Sequence, residues 1–335
     1  MTQRIFWSIT ALFLWGLAGT AGAETVPRSS IRQNLFTTCT SPTGQRWIVG
    51  ELGRIYSTKD NGQTVQQSEV DSKEAFLSIA CATDGALFIS GQHGMVMRSR
   101  DNGKSWQKLE TGTDRWLLSV RFADANVGIA VGDYGIIVRT ENGGDSWTRV
   151  ALPADIPLPE DIAEIIQPGD VLLYGADFVS PSQGWIVGEF GVILTTVDGG
   201  RTWTAQQSPV ETTLFGVTFD GPLRGWAVGI EEVLLHTEDG GITWNRQHVP
   251  PREGFVLALY NVAVVGNVGW AVGDSGLLLR STNGGRSWER VQLPIQFAAN
   301  WLRGIDLNND DEGLIVGGNG IMIATQGDQF RKLGE

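Results

Sequence analysis

The chain has 335 residues, with 25 Lys and Arg against 37 Asp and Glu, a formal charge of −12, 44 Gly, 13 Trp and only two Cys. An acidic balance of this size argues against nucleic acid or an anionic membrane as the main partner. Beyond the first 23 residues no apolar run approaches the roughly 18 to 20 residues of a membrane-spanning helix, so no direct membrane insertion is expected.

Residues Met1 to Ala23 carry Arg4, an apolar stretch from Ile5 to Ala18, and Ala21-Gly22-Ala23. That is the pattern of a cleavable secretory signal, so the mature protein is expected to start at Glu24 in the periplasm, or in a thylakoid lumen if the host has one. Thr20 stands where a lipoprotein signal needs its Cys, so no lipid anchor is expected.

From Leu35 onward one phrase recurs. The copy in residues 76 to 109 reads as four short strands, Phe76 to Ala82, Ala86 to Ser90, Met95 to Ser99 and Trp106 to Leu109. Between the last two lies a turn, Ser/Thr-x-Asp/Asn-x-Gly-x-Ser/Thr-Trp, with close versions ending at Trp147, Trp203, Trp244 and Trp288. Worn copies end at Val65 and Phe330, giving steps of 41, 41, 56, 41, 44 and 42 residues. Such a period marks a propeller or another array. The expectation is all-β: a seven-bladed β-propeller of four-stranded antiparallel blades, one domain over 24–335. Each blade comes from contiguous sequence, leaving ring closure to packing, with Glu24 to Arg32 free to add a strand at the seam.

The turn residues have a mechanical role. Asp60, Asp101, Asn142, Asp198, Asp239 and Asn283 can accept backbone N–H groups, the following Gly supplies positive φ, and the Trp buries a large apolar face. This reads as a folding device. Cys39 and Cys81 fall on neighbouring inner strands, where export permits a disulfide; two small buried side chains fit the same positions.

The turn resembles the Asp-box, or BNR, repeat of sialidases and several non-catalytic propellers. The longer phrase from Gly184 to Trp203, GWIVGEFGVILTTVDGGRTW, with related copies at Gly225 to Trp244 and Gly269 to Trp288, resembles the photosystem II stability/assembly factor family. The resemblance covers essentially the whole mature chain. It implies a seven-bladed lumenal or periplasmic propeller that assists assembly or stability of a membrane complex and uses an arginine-bearing surface.

Three features are candidates for that surface. After the Gly ending the second strand come Glu51, Gln92, Asp133, Glu189, Ile230, Asp274 and Gly318, so Glu51, Asp133, Glu189 and Asp274 form a ring of carboxylates on one face. It is read either as ordinary hairpin chemistry or as a docking rim for a basic segment. The loops entering the inner strands on that face carry Arg115-Trp116 and Trp301-Leu302-Arg303, which pair residues enriched at binding hot spots. The 56-residue step locates an insertion, 152–170, before blade 4, with four prolines, five carboxylates and a short helix expected over Asp161 to Gln167. It is either a partner hook on the rim or a disordered surface excursion.

A catalytic reading finds little support. A sialidase needs an arginine triad with a Tyr–Glu pair and an acid Asp; here Tyr56, Tyr134, Tyr174 and Tyr260 lie apart, and the Arg-Ile-Pro opening is absent. His93, His236 and His248 have no metal-ligand spacing. The expectation is a monomeric, non-enzymatic protein-binding propeller with no cofactor or metal. An accessory of an envelope transporter or exporter, and a glycan-binding or sialidase-like propeller, are the alternatives.

Overall fold

The computed structural model describes residues 24–27, 30–251, 254–295, 297, 299–307, 312–326 and 329–332. The signal segment, 1–23, lies outside them. The strands form seven antiparallel sheets in chain order, beginning with inner strands at Leu35–Thr40, Phe76–Cys81, Leu117–Phe122, Leu173–Phe178, Leu214–Asp220, Leu259–Val265 and Leu302–Leu307. Each inner strand touches the next, and the last touches the first, so the sheets close into a ring around a channel.

The sequence pattern of each strand follows from this geometry. A second strand such as Gly184–Gly188 is buried along its whole length, because neighbouring blades cover both its faces. It therefore reads as a continuous apolar run with no alternation. Inner strands alternate, and in all seven the register shifts between the first and third residues. A bulge there bends the strand so that its second residue faces the channel.

Apolar cores lie between blades and not within them. Ile129, Val131 and Ile137 of blade 3 pack with Leu173, Ile186 and Leu194 of blade 4, and the same pairing recurs around the ring. Trp47, Trp185, Trp226 and Trp270, from second strands, are fully buried at these seams.

Blade 7 completes its own four strands with Gln329–Lys332. The ring thus closes by packing Leu35, Ile48, Tyr56 and Val65 against Leu314, Val316, Met322 and Ala324, supported by the Thr40 hydroxyl donating to Asp306. The segment left free to add a strand does so: Glu24–Val26 pairs with Val65–Ser68, giving blade 1 a fifth, outermost strand beside its four. Val26 packs onto the seam cluster there, which is what holds the short strand in place. Cys39 and Cys81 are bridged, with Cα atoms 5.8 Å apart, and the bond ties the inner strands of blades 1 and 2.

The insertion also differs from expectation. Its helix is a single turn, Glu160–Ala163, followed by a 3-10 turn at Pro168–Asp170. Pro168 forces Gln167 into an extended conformation (ψ 157°), so the helix cannot run on to it. The segment is anchored: Ile156 is buried, and Leu152, Leu158 and Ile166 pack on the core between blades 3 and 4.

Candidate functional site

Antiparallel connectivity sends the Asp-box turns to one face of the ring, and the turns between second and third strands to the other. In the Asp boxes the Asp or Asn side chain and the flanking hydroxyls are spent on the turn itself. Asp101 Oδ1 accepts the Ser105 backbone N–H at 2.9 Å and the Ser99 hydroxyl at 2.8 Å, Oδ2 accepts the Ser105 hydroxyl, and Ser99 Oγ accepts the Gly103 N–H. The same bonds recur at Asp60, Asn142, Asp198, Asp239 and Asn283. Partial burial alone would raise the Asp198 carboxyl, but hydrogen bonds from Thr202 and Thr196 overcome it and hold the pKa down at about 2. The turns also staple blades: the Trp226 indole N–H donates to Gly285 O at 3.0 Å, and Arg98 Nη1 to Gly143 O at 2.6 Å.

On the opposite face the carboxylate ring serves as a clamp. Glu51 accepts the Asn34 backbone and side-chain N–H groups, Glu189 accepts Leu172 N–H at 2.9 Å, and Asp274 accepts Ala258 N–H at 3.4 Å and the Tyr260 hydroxyl at 2.8 Å. Burial pushes the Asp133 carboxyl up, against the opposing Trp116 N–H and the Arg115 charge. Each of these residues also returns its own N–H to the carbonyl before the inner strand, as Asp133 does to Trp116 O at 3.0 Å. The hairpin reading therefore accounts for most of their acceptor capacity. The adjacent strand-ending Gly is required by the same approach: a Cβ on Gly132 would lie 1.9 Å from Trp116 O, and one on Gly229 would lie 2.0 Å from Thr213 O.

The next residue, which the sequence reading passed over, is displayed to solvent in six blades, whereas Phe190 in blade 4 is half-buried against the core. Leu52, His93, Tyr134, Phe190, Glu231, Ser275 and Asn319 all have φ between 50° and 61°. For bulky side chains such as Leu, Tyr and Phe this left-handed conformation is costly, and strain of this kind concentrates at functional sites. The signal was legible as Gly-x-x-Gly, present in six blades and broken only where Glu232 (φ 53°) replaces the last Gly.

In blade 3 the displayed residue meets a predicted one. The Arg115 guanidinium lies over the Tyr134 ring, 4.2 Å from its centroid, with Trp116 exposed beside it. Arg303 is elsewhere. The expectation of an entry loop on the rim fails for it, because it is the second residue of its inner strand and the bulge turns it into the channel, over Phe36 at 5.2 Å. There it shares a collar with Leu77, Leu118, Phe215 and Tyr260, and Tyr174 packs edge-on against Phe215 at 5.0 Å. Burial lowers the Arg303 pKa, opposed by Tyr260 and Tyr174, while burial and then the bond to Asp274 push Tyr260 up to about 12. Trp301 stacks on Phe36 at 5.9 Å, at the mouth of the channel. Arg115 and Arg303 thus do not form one arginine surface.

Below the collar the channel widens to a cavity of about 300 Å³ lined by Arg121, Asp177 and Asp306. Burial raises Asp177 to about 6, against Arg121 and the N–H of Phe219 at 2.8 Å. Among the described residues no group of three or more His, Cys, Asp and Glu is placed to hold a metal ion.

Solved structures with this fold include YCF48 from Cyanidioschyzon merolae, at 21% identity and a TM-score of 0.70 over 92% of this chain and 99% of that one. A YCF48 bound to a D1 peptide is similar at 18% identity and a TM-score of 0.69, over 91% and 95%. A catalytically inactive virginiamycin B lyase from Staphylococcus aureus is similar at 15% identity and a TM-score of 0.60, over 91% and 98%. At these identities the likeness is one of fold. No curated protein matches the sequence. The model of the photosynthesis system II assembly factor YCF48 family matches residues 66–171 and 202–300, more than half of the chain, and the protein belongs to that family.

Proposed function

We propose that this protein is an exported, monomeric, non-enzymatic propeller that binds an extracytoplasmic segment of a membrane protein complex and assists its assembly. In a photosynthetic host that complex is photosystem II. The observation that carries the reading is the exposed Arg115–Trp116–Tyr134 group, held on one face by a turn in a strained conformation. A relative of the same fold has been solved bound to a D1 peptide, in keeping with a protein partner. The Tyr260 hydroxyl donates to Asp274 at 2.8 Å, a tyrosine–carboxylate pair whose chemistry the substrate assay below tests.

The test is cross-linking of the tagged protein in its own cells, followed by mass spectrometry of what is captured from the membrane fraction. Photosystem subunits are the expected catch. Transporter or other envelope subunits would keep the assembly role and move it to another complex. An absence of any enriched protein, together with turnover of a sialidase substrate, would overturn the reading.

A further inference from the structure

The insertion stands directly against the turn that displays Tyr134. Gly135 donates its N–H to Val171 O at 2.7 Å, and Leu152 Cδ1 fills the space over Gly135. The two form one continuous surface, on which Trp116, Tyr134 and Ile165 are 40%, 49% and 79% exposed. Five carboxylates are exposed here, Asp155, Glu160, Asp161 and Glu164 on the insertion and Asp114 on the entry loop that carries Arg115 and Trp116. None of the five makes a hydrogen bond or ion pair among the described residues, whereas Glu51, Glu189 and Asp274 on the same face are occupied by backbone N–H groups. Residues 152–170 contain no Lys or Arg, and the cation beside them, Arg115, is stacked on Tyr134.

Unspent negative charge around exposed aromatic and aliphatic side chains selects its partner by charge. We propose that this surface seats a basic segment of the protein partner, one in which apolar side chains alternate with Lys or Arg. The inference rests on the partner-binding reading and gives the segment its chemistry. The apolar residues of the segment cover Trp116 and Ile165. A cation from it lies over an aromatic face, an arrangement favoured on desolvation. The carboxylates steer the encounter and set the preference for basic over acidic segments. An anionic lipid surface is repelled by the same charges.

The test uses two labelled twelve-residue peptides of equal Leu and Ser content, one with four Lys and one with four Glu, read by fluorescence anisotropy at 150 mM salt. The Lys peptide is expected to bind and the Glu peptide not. The triple variant Glu160→Lys, Asp161→Lys, Glu164→Lys should weaken the Lys peptide at least tenfold. Tyr134→Gly should also weaken it while melting no lower than the parent, because Gly adopts this φ without strain. Equal binding of the two peptides, binding of the Glu peptide alone, or sedimentation of the protein with phosphatidylglycerol vesicles would overturn the proposal. So would a triple variant that captures the cellular partner as well as the parent does, and that outcome leaves the partner-binding reading intact.

Discussion

Reducing the bond between Cys39 and Cys81 tests how the ring is held together. Among the described residues the seam between blades 7 and 1 has no shared sheet; side-chain packing, the bonds to Asp306 and the Asn319 N–H donated to Asn34 hold it, and the disulfide restrains the other side of blade 1. It closes a loop of 42 residues. On the chain-entropy relation such a cross-link removes about 13 cal/mol/K from the unfolded ensemble, or about 4 kcal/mol at 25 °C. For roughly 300 ordered residues, with an unfolding entropy near 2.1 cal/mol/K each, that corresponds to a fall of about 6 °C in Tm. The assay is guanidinium unfolding of the oxidised and reduced protein, with the double variant Cys39→Ser, Cys81→Ser as a third sample. Reduced and double-variant proteins should agree within about 1 kcal/mol, since the cross-link and not the sulfur packing dominates. Oxidised and reduced curves that coincide would refute the idea that blade 1 depends on this staple.

Asp101→Ala leaves the Ser105 N–H and the Ser105 and Ser99 hydroxyls without their acceptor and should cost about 1 to 3 kcal/mol of stability with no loss of peptide binding; a neutral melt would show that the backbone holds the turn unaided. Gly132→Ala places a methyl 1.9 Å from Trp116 O and should lower Tm by several degrees and disturb Trp116 fluorescence, whereas an unchanged spectrum would show that the strand entry shifts freely. The raised pKa of Asp177 means that the folded protein holds a proton which the unfolded chain releases. Stability from this group is full below about pH 4 and declines as pH rises through about 6, by at most about 3 kcal/mol. Asp177→Asn should flatten stability across that window, and an identical slope in the variant would contradict the assignment. The Asp-box carboxylates act oppositely: their pKa values are depressed, so their contribution is present above about pH 4 and is lost as pH falls toward about 2, measured as acid unfolding.

The blade pattern was legible because each Asp box is a local device whose donors and acceptors lie within six residues of one another. The number of strands and the anchoring Trp residues follow from it. The fifth strand of blade 1 was open to the sequence but its bounds were not, since Glu24–Val26 is a short strand held by an edge some forty residues away. Arg303 was misplaced for a related reason: the inner-strand bulge, which decides which residue faces the channel, leaves no mark in the mixed run Leu302–Leu307. The carboxylate ring was correctly located, but its use was hidden, because acceptance from a strand entry seventeen residues earlier depends on tertiary approach. The exposure of Tyr134 is set by the left-handed turn after Asp133 and not by the acidic residue itself. A non-glycine residue flanked by turn residues in a Gly-x-x-Gly setting carries that information.

A photo-cross-linking amino acid placed at Tyr134, and in a separate sample at Lys104 on the Asp-box face, tests the central claim most directly in the living cell. Covalent capture of a membrane-complex subunit from position 134 and not from 104 is the result predicted here. Equal capture from both positions, or capture from 104 alone, would contradict the assignment of the binding face.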